Sequence, residues 1–296
     1  MSATNAPIGV IGLGLMGTAI TERLLEHGFP VCVWNRSRNK ADPLIDRGAV
    51  WSDNPIMSCN RVIISLYSSE VVAEVIEQMQ SGLRAKQTLI DTTTGEPHDC
   101  IAMGKRLAAA GVHYLDAPIS GSSEQTRRGD AMVMVGGDRT VFDACADLWP
   151  VLGKTVYHTG ESGSASRMKL VSNLVLGLNR VALAEGLSFA SAIGVNPAAA
   201  LEVLRGSAAY SRVMDIKGNK MLTSDFRVQA KLSQHLKDVR IILSLAAASE
   251  LDLPLSQTHR NLLEQAELAG CGELDNSSVI TVYQSKEKTC DQIIMR

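Results

Sequence analysis

The sequence predicts an α/β protein with an N-terminal, Rossmann-type doubly wound parallel sheet, a long inter-domain helix and an all-helical C-terminal domain. Three observations predict this fold. Short apolar runs alternate with helical stretches up to about residue 160. A glycine-rich turn, Gly12-Leu-Gly14-Leu-Met-Gly17, joins the first run to the first helical stretch. Residues 164–193 then contain no proline and are apolar on nearly every helical face, which is typical of a buried helix.

The elements follow from the spacing of apolar residues and from the turn residues that bound each run. Strands are predicted at 8–12, 30–34, 61–66, 88–91, 113–117, 131–135 and 155–158. Helices are predicted between them, including 14–25, 70–80 and 99–110. After the long helix the pattern predicts only helices, at 197–205, 213–221, 229–251 and 256–269.

The length of 296 residues is enough for two domains. We expect a nucleotide-binding domain over 1–162, an inter-domain helix over 163–193, and a helical domain for substrate binding and dimerisation over 194–296. The net charge is −2, from 29 Lys and Arg against 31 Asp and Glu. This balance argues against a nucleic-acid partner and against a membrane surface, since both are usually bound through excess positive charge.

The segment 1–7 is short and polar, so we predict no signal peptide and a cytoplasmic protein. The six cysteines form no CxxC pair and no cluster with histidine at zinc spacing. We therefore expect free thiols in a reducing compartment and no metal site.

The glycine turn has the spacing GxGxxG, a pattern that is weak on its own. Here it follows a buried strand and opens a helix, which is the context of a dinucleotide site. Gly12 permits the tight turn, Gly14 lets the backbone approach a pyrophosphate, and Gly17 lets the helix pack against the strand. The helix N-terminus offers its N–H groups to the phosphates.

The end of the second strand distinguishes NAD from NADP. An NAD site usually has a carboxylate there for the ribose 2′-hydroxyl, but segment 35–40 has none and carries Arg36, Arg38 and Lys40. Arg36 can bind a 2′-phosphate and stack on adenine. We predict NADP(H) as the preferred cofactor, with NAD(H) possible; an exposed basic loop without a ligand is the alternative.

Four motifs, in order and at similar spacing, resemble those of the β-hydroxyacid dehydrogenases, a family that includes 3-hydroxyisobutyrate dehydrogenase, tartronate semialdehyde reductase and the glyoxylate/succinic semialdehyde reductases. The motifs are 11–17 (IGLGLMG), 116–121 (DAPISG), 163–173 (GSASRMKLVSN) and 236–238 (LKD). The resemblance covers nearly the whole chain. It implies hydride transfer between a nicotinamide and a small β-hydroxyacid or aldehyde or keto acid, with Lys169 as general acid and base and Asn173 as its companion.

The resemblance also implies the binding residues. Ser120, Gly121 and Ser122 hold the substrate carboxylate, and Lys237 borders both substrate and cofactor. The implied cofactor contacts lie in the glycine turn and at strand ends: Gly12, Leu13, Gly14, Leu15, Met16, Gly17, Asn35, Arg36, Ser37, Lys40, Leu66, Tyr67, Thr94 and Lys237. The implied partners are a small carboxylate and a second copy of the chain, in a homodimer or homotetramer that covers the long helix.

Departures from the family pattern lie close to the expected substrate. Ala165, Ser172 and Ser122 replace a glycine, an asparagine and a glycine of the motifs, and segment 123–128 (SEQTRR) replaces a stretch rich in glycine and alanine. These changes leave the substrate open but not the reaction type. Imine reductases are relatives with a similar segment 34–37 (WNRS), and imine reduction is the second interpretation; they generally replace the lysine that Lys169 retains.

From the residues alone, Lys169 has two interpretations. Asn173 lies one helical turn further on the same face. The lysine can extend its head to solvent along a packed stem. Alternatively, burial near a nicotinamide cation lowers its pKa for proton transfer. The motif favours the second interpretation and argues against a binding module without catalytic activity.

Other charged residues are left with alternatives. Asp238 can form a structural ion pair or contact the substrate. Glu124, Arg127 and Arg128 are expected to lie on the solvated surface rather than to contact the substrate. No role is assigned to His113, His158 or His235.

Overall fold

The computed structural model describes residues 6–284. The chain divides into two compact units, Met1–Lys169 and Leu170–Arg296, and the boundary falls inside the long helix. We call them the nucleotide unit and the helical unit.

The nucleotide unit contains a nine-stranded sheet. The strands are β1 (Ile8–Ile11), β2 (Val31–Trp34), β3 (Val50–Trp51), β4 (Arg61–Ile64), β5 (Thr88–Asp91), β6 (His113–Asp116), β7 (Ile119–Ser120), β8 (Met132–Gly136) and β9 (Thr155–Gly160). They lie in the order β3-β2-β1-β4-β5-β6-β8-β7, with β9 paired to β8. The pairs among β1 to β6 are parallel.

The predicted fold class is confirmed, with one difference in strand direction. β8 runs antiparallel to β6 and β7, and β9 is parallel to β8, so the far end of the sheet is reversed. The two-residue strands β3 and β7 were not predicted, because so short a strand has no apolar alternation of its own. Ile63 packs in one core and Val62 and Ile64 in another, since successive side chains of a strand point to opposite faces.

Eight α-helices accompany the described strands of this unit, besides two 3-10 helices at Arg38–Ala41 and Gln80–Gly82. The α-helices are α1 (Leu15–Glu26), α2 (Asp42–Ile45), α3 (Pro55–Ser58), α4 (Ser69–Gln78), α5 (Pro97–Ala109), α6 (Ser123–Arg127), α7 (Arg139–Ala144) and α8 (Trp149–Leu152). The parallel strands end at the same edge as the glycine turn, which places the predicted cofactor residues of this unit at the carboxyl ends of β1, β2, β4 and β5.

The predicted long helix is α9 (Ser164–Ala192), with 29 residues. By length and composition it could cross a membrane, and 44% of its most apolar window is buried inside the protein. It contributes Val181, Leu183, Ala184 and Leu187 to the core of the helical unit. Such burial is typical of the core helix of a soluble protein.

The helical unit contains α10 (Pro197–Arg205), α11 (Arg212–Thr223), α12 (Leu232–Ala248) and α13 (Pro254–Ala266) after α9. A π-helical turn follows at Glu267–Cys271, then a 3-10 helix at Asn276–Tyr283. No β-strand is assigned to this unit among the residues described, which agrees with the predicted all-helical second half.

The cysteine prediction holds in part. Cys32, Cys59, Cys100 and Cys145 are free thiols, but Cys271 is in a disulfide, so the prediction of a free thiol is wrong there. A disulfide formed by the fold needs no CxxC spacing, and the sequence pattern therefore did not indicate it. Cys290 lies outside the described residues.

Candidate active site

The glycine turn packs too closely for side chains at two of its three glycines. An added Cβ at Gly17 would overlap the carbonyl oxygen of Gly12, which confirms that Gly17 brings α1 close to β1. Gly12 has a φ of +96°, and a Cβ there would lie 2.8 Å from Leu66 Cδ2. At Gly14, by contrast, no described atom lies within 4 Å of an added Cβ.

The open side at Gly14 fits a dinucleotide. Gly14 is the N-cap residue of α1 and has no side chain, so the first N–H groups of the helix can be met by phosphate oxygens. Leu15 is 39% exposed and Met16 packs partly against the core. A nicotinamide cofactor bound here would be held by backbone amides, as the sequence predicted.

Asn35, at the end of β2, holds the glycine turn. Its Oδ1 accepts a hydrogen bond from Leu13 N at 2.9 Å, and its Nδ2 donates to Ser37 O at 3.0 Å. Arg36 and Lys40 are exposed. The guanidinium of Arg38 lies 5.1 Å from the centroid of the Trp51 ring, in a cation–π contact. Asn35 thus stabilises the glycine turn through a hydrogen bond to its backbone, whereas Arg36 and Lys40 lie at the surface.

The loops after β4 and β5 are joined by a hydrogen bond. Leu66 N donates to Thr93 Oγ1 at 3.1 Å. Tyr67 is 54% exposed, and Thr94 is half-buried beside Thr93. These residues lie at the carboxyl ends of neighbouring parallel strands, where ligands bind in open α/β sheets.

A buried carboxylate, Asp116, fixes the start of α9. Asp116 ends β6 and is 1% exposed. Its Oδ1 accepts from Gly163 N at 2.9 Å, and its Oδ2 accepts from Ser166 N at 3.0 Å and Ser166 Oγ at 3.3 Å. Burial raises the pKa of Asp116, against the hydrogen bonds, which lower it. The sequence identified the 116–121 motif but assigned Asp116 no role; it caps the helix that carries Lys169.

Lys169 and Asn173 lie on α9 with exposures of 6% and 5%. They are one helical turn apart. Asn173 Nδ2 donates to Asp238 Oδ2 of α12 at 2.9 Å. Asp238 is itself 5% exposed, and Lys237 Nζ lies 3.6 Å from its other oxygen. The structure therefore gives Asp238 a definite task, the orientation of the Asn173 amide, which the sequence left open.

The predicted carboxylate-binding residues lie around a short helix. Ser120 is on β7, opposite Met132 of β8. Ser122 caps α6: its Oγ accepts from Gln125 N at 3.2 Å, and its own N–H donates to Gln125 Oε1 at 2.9 Å. The hydroxyl of Ser122 is thus already used by a capping box, whereas Ser120 is half-buried at the end of its strand.

The charged segment after Ser122 forms ion pairs. Arg127 Nε lies 2.6 Å from Glu22 Oε2 of α1, and Arg128 Nη2 lies 2.9 Å from Glu124 Oε1. These pairs are consistent with the solvated interpretation of Glu124, Arg127 and Arg128. Among residues 6–284 no group of three or more His, Cys, Asp or Glu is arranged to hold a metal ion.

Two family models match the chain and together span most of it. Residues 7–160 match the NAD binding domain of 6-phosphogluconate dehydrogenase. Residues 163–283 match the NAD-binding domain of NADP-dependent 3-hydroxyisobutyrate dehydrogenase. The boundary between the two matches lies just before α9.

Among curated proteins, glyoxylate/succinic semialdehyde reductase 1 of Arabidopsis thaliana is 29% identical over 283 residues, which cover 92% of this chain and 96% of the relative. A solved structure of Psf3 with NADP⁺ and 2-OPP is 26% identical, with a TM-score of 0.85 over 93% of this chain and 99% of Psf3.

Two further solved structures show the same fold at lower identity. A 3-hydroxyisobutyrate dehydrogenase from Salmonella typhimurium is 22% identical with a TM-score of 0.86, over 94% of this chain and 100% of its own. An imine reductase from Pseudomonas sp. is 23% identical with a TM-score of 0.66, over 94% of this chain and 99% of its own.

Proposed function

The chain belongs to the β-hydroxyacid dehydrogenase family and is an oxidoreductase; on that premise we propose that it is an NADP(H)-dependent reductase of a small aldehyde or keto acid. The nicotinamide, when bound, supplies the hydride to the carbonyl carbon or takes it back. The observation that carries the proposal is the buried Lys169 and Asn173 pair on the helix that Asp116 anchors.

Lys169 supplies the proton. Its ammonium group donates to the oxygen of the carbonyl as that oxygen becomes an alkoxide, and it stabilises the developing negative charge before the proton moves. Its low exposure of 6% keeps competing water away. In the oxidising direction the neutral amine takes the proton from the hydroxyl.

Asn173 positions the reacting groups. Because Nδ2 donates to the Asp238 carboxylate, the amide orientation is fixed and Oδ1 remains as the acceptor. Oδ1 is therefore suited to accept from the Lys169 ammonium or from a substrate hydroxyl. Asp238 acts through Asn173 and is a positioning residue.

The substrate carboxylate is held by the segment Ser120 to Ser122. A turn between a short strand and a capped helix is suited to present the Ser120 hydroxyl and backbone N–H groups to an anion, apart from the Ser122 N–H, which donates to Gln125. Held there, the substrate carbonyl is oriented with respect to Lys169.

The decisive experiment replaces Lys169 by alanine. General acid–base catalysis contributes about 10²–10⁴-fold, so Lys169→Ala should lower kcat by that factor with a panel of small aldehyde and keto acids. The Kd for NADPH should stay close to that of the wild type, since the phosphates meet the distant glycine turn. Arg167→Ala, two positions earlier on the same helix and exposed, is the matched control.

Lys169→Arg should not restore the rate, because a guanidinium does not release its proton. Near-wild-type turnover of Lys169→Ala on every accepted substrate would contradict the proposal. Activity of that variant with cyclic imines, in place of carbonyl acids, would favour the second candidate, imine reduction.

NADP(H) preference rests on the basic surface after β2. A charge-assisted contact of Arg36 with a 2′-phosphate is worth about 1.5–3 kcal/mol, so Arg36→Ala should raise the KM for NADP by about 10–100-fold and barely change that for NAD. Arg38→Ala should have a smaller effect, since its guanidinium already lies over Trp51. Equal effects on both cofactors would argue for NAD(H).

A homodimer or homotetramer is supported by one face of α9. Its exposed apolar side chains include Met168, Val171, Val175 and Phe189, each 50–63% exposed. Their spacing of three, four and fourteen residues follows a heptad, the repeat by which helices pack on one another. Sedimentation equilibrium giving only a 31.8 kDa species at micromolar concentration would contradict the assembly.

A cytoplasmic location is part of the proposal. Four free thiols suit a reducing compartment, whereas the disulfide at Cys271 is unusual there. Cell fractionation, with the Cys271 disulfide assayed in each fraction, tests the location.

A further inference from the structure

Three ionisable side chains are buried together in the helical unit. Lys217 of α11 is 5% exposed and Asp275 is fully buried. Lys217 Nζ donates to both oxygens of Asp275, at 2.8 Å and 2.9 Å. Asp275 also accepts from the backbone N–H groups of Gln229 and Ala230 and from the hydroxyl of Ser277. Both its charge and its acceptor positions are therefore satisfied within this pair and its neighbours.

Arg180 of α9 is the third member. It is 3% exposed, and its Nε and Nη1 have no hydrogen-bond partner among the described residues. Burial lowers the pKa of Arg180 to about 10, and the charge of Asp275 acts in the opposite direction, so the guanidinium stays protonated at neutral pH. The one described carboxylate whose charge acts on Arg180 is thus already paired with Lys217.

The nearby imidazole of His259 is uncharged and therefore does not change the charge balance around Arg180. His259 of α13 is 2% exposed, and burial together with the charge of Arg180 lowers the pKa of His259 to about 4. It is neutral at physiological pH, and its Nε2 has no partner within residues 6–284. The cluster of Arg180, Lys217, Asp275 and His259 consequently contains two cations and one anion.

Further unsatisfied polar atoms lie next to Asp275 in the chain. Asn276 Oδ1 and Ser278 Oγ are buried without a described partner, on the 3-10 helix that follows Asp275. A hydroxyl hydrogen can rotate and an amide can turn its NH₂ group outwards. Both side chains are thus able to donate, and they follow Asp275, the carboxylate whose charge acts on Arg180.

We propose that Arg180 is the centre of a buried binding site for a small monovalent anion, of which chloride is the simplest. A buried charge without a counter-charge is strongly unfavourable, and arginine cannot remove it by losing its proton. A monovalent anion balances the one excess cation, whereas a divalent ion would leave an excess negative charge. The near-complete burial of Arg180 selects an ion that loses its hydration easily, such as chloride or bromide, over fluoride or sulfate.

The first test is the thermal unfolding of the full-length protein at constant ionic strength, with sodium fluoride replaced stepwise by sodium chloride or bromide. A ligand that binds only the folded state raises Tm with the logarithm of its concentration above Kd. The wild type should gain about 3–5 °C for each tenfold increase in chloride in that range. Arg240→Met, which removes an exposed arginine of α12, should keep this response.

Arg180→Met should behave differently in two ways. It should lose the difference between chloride and fluoride, and in fluoride it should unfold at a higher Tm than the wild type, because it no longer buries an uncompensated charge. An equal chloride-specific gain in Arg180→Met would overturn the proposal, as would a wild type with no preference among the three halides. The latter result would mean that water or the protein itself satisfies Arg180.

A direct measurement does not depend on the variant folding. In crystals of the wild type grown or soaked in sodium bromide, an anomalous difference peak should lie within hydrogen-bond distance of Arg180 Nε or Nη1. Bromide peaks only at the surface would overturn the proposal. Arg180→Lys, which keeps the charge but not the two-pronged donor geometry, should bind bromide more weakly at the same position.

Discussion

The two units differ in which of their buried ionisable side chains have a pKa that desolvation shifts against the charged form. The nucleotide unit buries carboxyl groups, Asp91 and Asp116, which accept hydrogen bonds from Thr93 N, the Tyr114 hydroxyl and the start of α9. In the helical unit, desolvation lowers the pKa of the bases Arg180, Lys217 and His259, which are buried together with the carboxylate of Asp275. Desolvation disfavours the charged form in both cases, so it raises the pKa of the carboxyls and lowers the pKa of the bases.

The difference decides how each unit can reduce the cost of burial. Asp91 can take up a proton and His259 can release one, and both then lose their charge. Lys217 keeps its charge because Asp275 lies beside it. Arg180 can do neither, and among residues 6–284 the one carboxylate whose charge acts on it is already paired with Lys217, so the proposed anion would supply its counter-charge. The stability of the two units should therefore depend on pH with opposite sign.

The largest effect should come from breaking the buried pair of the helical unit. Lys217→Met leaves Asp275 buried without its cation and should lower the free energy of unfolding by about 3–5 kcal/mol. Lys231→Met removes the exposed pair with Glu273 and should cost at most about 1 kcal/mol. Urea denaturation monitored by circular dichroism compares them. Equal losses would mean that burial does not set the strength of these pairs.

The pH dependence of the helical unit comes from His259. Its pKa is about 4 in the folded protein against 6.5 for the free side chain. The unfolded chain thus binds more protons between these values, so this contribution to stability is complete above pH 6.5 and is lost as pH falls towards 4. At about 1.4 kcal/mol per pKa unit, the loss is about 3 kcal/mol.

His259→Leu should remove the loss of unfolding free energy between pH 6.5 and pH 4. Hydrogen exchange of the amides of α12 and α13 over this pH range measures this loss. His98→Gln, which changes a histidine with 69% side-chain exposure, should leave it in place. Retention of the full acid sensitivity in His259→Leu would assign it to another group.

The nucleotide unit should respond in the reverse direction. Asp91 has a pKa of about 6, against 3.8 when free, chiefly because of burial. The folded state binds more protons between these values, so the contribution of Asp91 to stability is complete below pH 3.8 and is lost as pH rises towards 6, by about 3 kcal/mol. Asp91→Asn should flatten this fall.

The unit offers its own probe for that experiment. Trp34, Trp51 and Trp149 all lie in the nucleotide unit, and they are all three tryptophans of the chain. Tryptophan fluorescence during denaturation between pH 4 and 6 therefore follows this unit alone. An unchanged slope in Asp91→Asn would show that the carboxyl does not titrate there.

The sequence predicted what depends on neighbouring residues and missed what depends on distant ones. The Gly12–Gly17 turn and α9 were predicted because a strand, a turn and a helix have local spacings. The Asn173–Asp238 hydrogen bond joins residues 65 apart, and no local spacing indicates it. Asp116 was visible as part of a motif, but its role appears only when the start of α9 is placed beside the end of β6.

The buried bases show the same limit. Arg180 stands within an apolar helix, where the sequence pattern favours a solvent-exposed head. Arg180 is buried because α12, α13 and the segment after Asp275 pack around α9. These contacts join segments distant in the sequence, so no local pattern indicates them. His235 and His259 are 24 residues apart in the chain, and yet their rings meet in a tilted contact with centroids 5.2 Å apart. Spacing rules for metal ligands could not have related them.

The smallest effect tests how tightly the helical unit packs around these bases. Gly177 lies on α9 between the two histidine rings: an added Cβ would overlap His259 and lie 2.6 Å from His235 Nε2. Imidazole rings held by packing cannot move aside as a flexible chain end can, so Gly177→Ala should cost about 1–3 kcal/mol. Gly186, nine residues further on the same helix, has no described atom within 4 Å of an added Cβ. There, alanine should stabilise the helix by about 0.5–1 kcal/mol, because glycine loses more backbone freedom on folding.

The difference in unfolding free energy between the two variants isolates the packing of the histidine pair from the helix propensity, which is common to both. If Gly177→Ala were as stable as Gly186→Ala, the His235 and His259 rings would have room to move, and α9 would not be held against α12 and α13 at this point.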